Sequence, residues 1–171
     1  QESVAKEVIR KLKDRIETLI VGDPLDKNTD IGAINSRQQL QTIQKYIGIG
    51  NKEGAEMYES SCRLPSKGFW CRPTIFSNVA QSNSIAQEEI FGPVISIMRT
   101  NTVDEALAIE NANPYGNAAS VFTQNGGMAR YIIDRASAGM IGVNVGVPVP
   151  REPFSFGGWN ESKFGVNDIT G

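Results

Sequence analysis

The sequence predicts an α/β protein with an open, largely parallel, twisted sheet and flanking helices. From Val94 onward, apolar strand-like runs alternate with amphipathic segments in the order strand, helix, strand, helix, strand. This order requires parallel pairing with right-handed crossovers. The composition, with 40% hydrophobic and 21% charged residues among 171, is that of a globular domain large enough to bury a core.

Charge and composition exclude several classes of function. A formal net charge of −2 gives no electrostatic reason to expect nucleic acid or an anionic membrane as a partner. No apolar run approaches the ~18 residues of a membrane span, and the N-terminus is not a signal peptide. The sequence contains no histidine, so neither a histidine-activated nucleophile nor the usual zinc sites can form, and no metal site is predicted. Cys62 and Cys71 fit no metal or redox spacing, which predicts free thiols in a reducing compartment.

The first half of the chain predicts two helices and several short strands. Apolar residues recur at helical spacing over residues 3–19, and Gly22-Asp23-Pro24 ends that helix. Ser36 and Gln39 have capping-box spacing and open a second helix, which we expect to end at residues 48–50. Strand pieces are predicted at residues 55–60, 74–76 and 84–86.

The second half predicts a regular alternation of elements. Thr102 and Glu105 form a capping box, and Gly139 is expected to supply a left-handed residue at the end of the second helix of this half. The predicted elements are a strand at 94–98, a helix at 103–111, a strand at 118–122, a helix from Asn125-Gly126 to Ala136, and a strand at 140–145.

An acidic stretch precedes the first of these strands. Residues 87–93 combine two adjacent carboxylates, Phe91 and a Gly-Pro turn, and Pro93 restricts the backbone around it. A carboxylate held in this way can accept two hydrogen bonds from a diol, and Phe91 offers a flat face to a heterocycle. The alternative is an acidic loop that leads into a buried strand.

The tail after the last predicted strand, residues 146–159, is expected to be irregular because it contains three prolines and a Gly-Gly pair. Ligands of open α/β sheets lie beyond the carboxyl ends of the strands, where this loop begins. Phe156 and neighbouring aromatic residues are candidates to line a pocket there, and Arg151 is a candidate to bind a carboxylate or phosphate. Alternatively, the tail crosses the surface and its aromatic residues cover the sheet edge.

Several ordered motifs resemble those of the aldehyde dehydrogenase superfamily, and the resemblance covers nearly the whole chain. Residues 87–94 resemble that family's glutamate-phenylalanine motif, and residues 113–117 resemble its asparagine-x-tyrosine-glycine segment. The other matching segments are residues 21–32, 122–123, 139–144 and 156–162. Residues 142–150 and 154–159 look most like the methylmalonate-semialdehyde dehydrogenase branch. The resemblance implies the fold of the family's catalytic domain, truncated at both ends.

The resemblance implies roles for individual residues. Glu89 matches the glutamate that holds the nicotinamide-side ribose, and Phe91 matches the phenylalanine that packs beside the nicotinamide. Phe156 matches a residue of the aldehyde pocket. Arg151 lies in the variable loop that shapes substrate choice, and its charge makes it a candidate anion contact. The implied cofactor is NAD or NADP, and coenzyme A replaces water as the acyl acceptor in some members of the branch.

The resemblance also implies what residues 1–171 lack. The family oxidises aldehydes through a cysteine thioester, and its cysteine lies just before the helix that matches residues 3–19. Cys62 and Cys71 do not occupy that position, so no catalytic residue is predicted within this chain. We expect a partial catalytic domain, inactive alone, without the cofactor-binding domain or the terminal strand through which members pair.

Two functions are therefore expected as alternatives. In the first, the chain belongs to an NAD(P)-dependent enzyme that oxidises a small aldehyde, and carboxylated aldehydes are among the expected substrates. This enzyme is expected to be a homo-oligomer of the cytoplasm or the mitochondrial matrix. In the second, it is a non-catalytic binding or scaffolding module that retains the fold. A cysteine codon a few residues upstream of Gln1 would favour the first, and a partner that covers the exposed interface would favour the second.

Overall fold

A computed structural model describes residues 1–146, 148–151 and 157–162 of the chain. The chain divides into two compact units, Gln1–Asn101 (unit 1) and Thr102–Gly171 (unit 2). Among the described residues, the helices are all too short or too polar to cross a membrane. The same residues contain no cluster of acidic or thiol side chains suited to a metal ion.

Unit 1 begins with two helices, α1 (Glu2–Glu17) and α2 (Arg37–Lys52), where the apolar spacing predicts them. The Ser36 side chain caps α2 by accepting a hydrogen bond of 3.1 Å from the backbone N–H of Gln39. This bond satisfies one of the unpaired donors of the first helical turn and fixes the backbone at Gln39.

The prediction that α2 ends at residues 48–50 is wrong, because the helix continues to Lys52. The left-handed residue that follows it is Gly54, with φ of +86°. Gly50 lies inside the helix for a packing reason: a Cβ there would lie 2.8 Å from Cδ1 of Ile85. A glycine at this position therefore marks a close approach to α2, whereas the sequence pattern alone indicated a helix end.

The sheet of unit 1 has three strands, β1 (Glu56–Glu59), β2 (Thr74–Ser77) and β3 (Val94–Ser96). Strand β2 is central, pairs antiparallel with β1 and parallel with β3, and is buried along its whole length. A cluster of buried side chains packs α2 onto this sheet and comprises Ile43, Ala55, Cys71, Phe76, Val79, Ile85 and Ile90.

Residues 84–86 were expected to form a strand and instead lie in a one-turn helix, α3 (Ser84–Gln87). The carboxylate of Glu53 accepts hydrogen bonds from the backbone N–H of Ser84 at 2.8 Å and from its hydroxyl at 2.7 Å. The first of these bonds supplies a partner for an N-terminal backbone donor of the helix, which the short run of residues 84–86 does not reveal in the sequence.

Unit 2 contains α4 (Val103–Asn111), opened by the predicted capping box of Thr102 and Glu105. Strand β5 (Ala118–Val121), helix α5 (Gly126–Ile133) and strand β6 (Met140–Val143) follow, and β5 pairs parallel with β6. Two-residue strands β4 (Tyr115–Gly116) and β7 (Trp159–Asn160) form an antiparallel pair.

Three details of unit 2 differ from expectation. Helix α5 ends at Ile133, and Gly139 does not have a positive φ. The lack of a side chain at Gly139 serves close packing, because a Cβ there would lie 2.1 Å from the carbonyl oxygen of Gly157. Trp159 was expected in an irregular tail and instead lies in β7, which pairs with β4. Next to this pair, the backbone N–H of Gly116 in β4 donates to the hydroxyl of Ser162 at 2.8 Å.

The predicted α/β fold class is confirmed, with one difference in strand pairing. The three strands that were expected to pair with one another, β3, β5 and β6, lie in two different sheets. Strand β3 pairs with β2, whereas β5 and β6 pair with each other. Helices α2 and α3 and the β2–β3 pair position the acidic stretch of unit 1.

Candidate functional site

The acidic turn, residues 88–92, connects α3 to β3 and has an unusual backbone. Phe91 has φ of +56°, in the left-handed region that bulky residues rarely adopt. Its ring is 74% exposed, so burial of the ring does not compensate for the strained backbone. A strained residue with an exposed side chain is typical of a site where function requires that side chain in that direction.

Gly92 brings the acidic turn against α2. A Cβ at this position would lie 2.7 Å from Cδ1 and 2.8 Å from Cγ1 of Ile43, whose side chain is fully buried. Ile43 has no room to move aside in a packed core, so a larger residue at Gly92 would push the turn away from the helix.

Gln39 holds the same turn through its side chain. Its Nε2 donates hydrogen bonds to the carbonyl oxygen of Ile90 at 3.0 Å and to that of Phe91 at 3.2 Å. These bonds join the first turn of α2 to the strained peptide, 51 and 52 residues further along the chain. The left-handed conformation of Phe91 is thus supported from a neighbouring helix.

An open groove of about 490 Å³ lies along the acidic turn. Its lining residues are Ile85, Glu88, Glu89, Ile90, Phe91, Gly92, Val94 and Ser96. The carboxylates of Glu88 and Glu89 are exposed, and neither forms a hydrogen bond or ion pair with the part of the chain that the structure describes. A free carboxylate beside an exposed aromatic face can accept the hydroxyls of a diol and pack against a planar ring.

The floor of this groove is held from the strand side as well. The hydroxyl of Ser96 in β3 donates to the carbonyl oxygen of Ile85 in α3 at 2.8 Å, and Ile85 itself is buried in the core. Helix α3 and strand β3 are therefore fixed on both sides of the acidic turn, which gives its side chains a rigid support.

The other predicted site residues belong to unit 2. Arg151 is exposed and lies outside the helices and strands of unit 2. Phe156 lies outside the described residues. The structure thus brings Glu89 and Phe91 together and leaves the roles of Arg151 and Phe156 as predictions.

The two cysteines are free thiols in different environments. Cys71 is buried in the core of unit 1, and burial raises the pKa of its thiol to about 11. Since the thiolate is the nucleophile, Cys71 is poorly suited to attack an aldehyde. Cys62 is half-buried, and its carbonyl oxygen accepts a hydrogen bond from Nε of Arg72 at 3.1 Å.

A second groove, of about 540 Å³, lies between α1 and the sheet of unit 1. Three of its cationic side chains form ion pairs: Arg10 pairs with Asp14 at 2.7 Å, Lys13 pairs with Glu56 at 3.5 Å, and Arg99 pairs with Glu2. The hydrogen bond from Arg99 lowers the pKa of the Glu2 carboxyl. The pairs of Lys13 with Glu56 and of Arg99 with Glu2 attach α1 to the sheet, and such exposed ion pairs each contribute little to stability.

Similarity to known proteins identifies the family of this chain. The model of the aldehyde dehydrogenase family matches residues 1–170, and the chain belongs to that family. It is similar to malonate-semialdehyde dehydrogenase 1 of Shouchella clausii, with 36% identity over 172 residues that cover 100% of this chain and 35% of the relative.

Two solved structures extend this similarity to the fold. Methylmalonate-semialdehyde dehydrogenase of Oceanimonas doudoroffii matches with a TM-score of 0.92 and 32% identity, over 96% of this chain and 35% of that one. An NAD-dependent aldehyde dehydrogenase of Sinorhizobium meliloti matches with a TM-score of 0.91 and 35% identity, over 97% of this chain and 33% of that one. The resemblance inferred from the motifs is confirmed, and the chain spans about a third of the length of these relatives.

Sequence reasoning missed the contact of Gln39 with the acidic turn. The Ser36–Gln39 spacing indicated a capping box, in which the glutamine side chain would reach back to the backbone of Ser36. Instead, the Gln39 carboxamide bonds to Ile90 and Phe91. The sequence carries no signal that separates this long-range contact from the local capping bond, because both use the same glutamine at the same helix position.

Proposed function

We propose that this chain is the C-terminal part of the catalytic domain of an NAD(P)-dependent aldehyde dehydrogenase. In this proposal, Glu89 and Phe91 hold the nicotinamide side of the cofactor. The observation that carries it is the acidic turn, in which a strained backbone presents an exposed ring beside an unpaired carboxylate at an open groove.

The residues present fit the nicotinamide end of such a cofactor. The carboxylate of Glu89 accepts hydrogen bonds from two ribose hydroxyls, and a charged acceptor makes these bonds stronger than neutral ones. The ring of Phe91 packs beside the nicotinamide and restricts its position. When bound, the nicotinamide accepts hydride from the substrate. Fixed placement of the ribose matters because hydride transfer is sensitive to small errors in geometry.

The substrate proposed for the complete enzyme is a small aldehyde that carries a carboxylate. The semialdehydes in the names of the malonate- and methylmalonate-semialdehyde dehydrogenases support this class. Arg151 is proposed to contact the carboxylate and Phe156 to line the aldehyde pocket. The attacking cysteine is proposed to lie outside residues 1–171, because neither Cys62 nor Cys71 occupies its position in the family and Cys71 is also buried with a raised pKa. The acyl group then leaves the cysteine thioester by transfer to water or to coenzyme A.

The test replaces Glu89 with Gln in the complete enzyme, expressed with its upstream reading frame. This change removes the negative charge while it keeps the shape of the side chain, so the ribose hydroxyls lose their charged acceptor. We expect the dissociation constant for NAD⁺ to rise by roughly tenfold or more. The measurement is titration of the enzyme with NAD⁺, followed by single-turnover kinetics of hydride transfer.

Glu88→Gln is the matched control, because Glu88 is the exposed neighbour with the same charge in the same groove. It should leave the affinity for NAD⁺ within about twofold of the unsubstituted enzyme. Equal effects of the two substitutions would mean that only the net charge of the groove matters, which contradicts the role of Glu89. Failure of the complete protein to oxidise any aldehyde, with or without coenzyme A, would favour the non-catalytic module.

A further inference from the structure

We propose that Gln39 is a positioning residue that fixes the acidic turn in the conformation required to bind the cofactor. This inference rests on the proposed function and deepens it. Gln39 has a local alternative, since the third residue of a capped helix can bond to the backbone of the cap residue. Its Nε2 instead donates to the carbonyl oxygens of Ile90 and Phe91, at 3.0 and 3.2 Å.

The two accepting carbonyls flank the strained residue. The peptide before Phe91 carries the oxygen of Ile90, and the peptide after it carries the oxygen of Phe91, so one carboxamide restrains both sides of the left-handed φ of +56°. Without these bonds, the backbone of Phe91 would relax toward the ordinary region of negative φ. Such a rotation would turn the ring and displace the neighbouring carboxylate of Glu89.

The helix that carries Gln39 is itself a rigid support. Ser36 caps α2 and fixes the backbone of Gln39, and Ile43, one turn further along, is fully buried against Gly92. At the opposite end of α2, the carboxylate of Glu53 holds the first residue of α3 through two hydrogen bonds. Helix α2 therefore holds both ends of the segment from Ser84 to Gly92, and Gln39 supplies the polar contact at the cofactor end.

The test replaces Gln39 with Met in the complete enzyme, which keeps the length of the side chain and removes its donor. We expect the dissociation constant for NAD⁺ to rise roughly tenfold, because two restraining hydrogen bonds are lost. The effect should appear mainly in the KM for NAD⁺, with a smaller change in kcat at saturating cofactor. Gln44→Met, at an exposed position of the same helix, is the control and should bind NAD⁺ normally.

Gln39→Lys provides a rescue, because its ammonium donates to two carbonyls over a similar distance. We expect it to recover most of the affinity for NAD⁺. A role limited to stability predicts a lower melting temperature for Gln39→Met with unchanged affinity for NAD⁺, and that result would overturn the proposal. Equal loss of affinity in the Met and Lys variants would overturn it as well.

The double variant Gln39→Met/Glu89→Gln distinguishes positioning from a direct contact with the cofactor. If Gln39 acts through the acidic turn, the double variant should lose less affinity for NAD⁺ than the two single losses combined, because part of the effect of Gln39→Met is exerted through Glu89. Additive losses would mean that Gln39 acts independently of Glu89, which contradicts positioning and leaves the role of Glu89 intact. A normal affinity for NAD⁺ in Glu89→Gln would instead refute the proposed function, and with it the positioning role.

Discussion

Four described residues other than glycine lie in the left-handed region, and two of them, Phe91 and Asn144, are stabilised in different ways. The acidic turn contains Phe91, at φ of +56°, and the asparagine turn, residues 144–146 after β6, contains Asn144, at φ of +55°. Asparagine tolerates this conformation because its short polar side chain bonds to nearby backbone, whereas phenylalanine has no such compensation.

The hydrogen bonds of the two turns reflect this difference. Asn144 is anchored by its own side chain to the segment after β5: its Nδ2 donates to the carbonyl oxygen of Thr123, and its Oδ1 accepts from the N–H of Thr123, both at 2.9 Å. Phe91 depends on a side chain from another element, Gln39. The side chain of Asn144 is used up in anchoring its own turn, whereas the side chain of Phe91 is exposed and contributes nothing to its turn, which is typical of a site where that side chain is needed.

Asn144→Ala should have the largest effect on stability. The substitution removes two hydrogen bonds to Thr123 and places a Cβ-bearing residue without a polar side chain in the left-handed region. We expect a loss of about 3 kcal/mol in the free energy of unfolding, measured by urea denaturation. Asn144→Gly, which removes the bonds but permits the conformation, should cost about 1–2 kcal/mol.

If Asn144→Ala and Asn144→Gly lowered the free energy of unfolding equally, a residue other than glycine would cost no free energy in the left-handed region at this turn. The contrast between Asn144 and Phe91 would then lose its basis.

Arg151→Ala tests the proposed contact between Arg151 and the carboxylate of the substrate. Removal of the guanidinium should lower kcat/KM for a carboxylated aldehyde by roughly tenfold relative to a neutral aldehyde of similar size, because one charged hydrogen-bonded contact is lost. The measurement is the ratio of the two kcat/KM values in the complete enzyme. Arg130→Ala removes the same charge from an exposed position of α5 and should leave this ratio unchanged.

A ratio that stays the same in Arg151→Ala would remove Arg151 from the substrate site. The charge of Arg151 would then have no role in the choice of substrate.

Much of the fold could be predicted because the signals are local. The capping box of Thr102 and Glu105 marks the start of α4, and the run of apolar residues from Val94 marks β3. Contacts between distant residues were inaccessible to the same reasoning. Gly50 and Gly139 carry the signal of a helix end, yet each serves close packing against a residue that only the folded chain brings near.

The candidate site could be predicted in part for the same reason. Glu89 and Phe91 were recognised because they lie in one short motif, whose side chains line one groove in the folded chain. The strained φ of Phe91 and its support by Gln39 left no mark in the sequence, because both arise from the packing of α2 against the acidic turn. The acidic turn also precedes its strand, whereas the rule for open sheets points to loops at the carboxyl ends.

The smallest expected change in stability is the most informative for the acidic turn. Phe91→Asn replaces a residue that the left-handed region disfavours with one that tolerates it, and little burial is lost because the ring is 74% exposed. We therefore expect the free energy of unfolding to rise by about 0.5–1 kcal/mol, measured by urea denaturation. The affinity for NAD⁺ should fall by roughly fivefold, because the flat face beside the nicotinamide is gone.

Phe91→Leu separates the two effects. Leucine is disfavoured in the left-handed region much as phenylalanine is, so the stability should stay within about 0.5 kcal/mol of the unsubstituted protein. It lacks the planar ring, so the affinity for NAD⁺ should fall as it does in Phe91→Asn. A loss of stability in Phe91→Asn would mean that the ring stabilises the fold. A gain of stability together with weaker binding would mean that the acidic turn maintains a strained conformation because the cofactor requires the ring in that position.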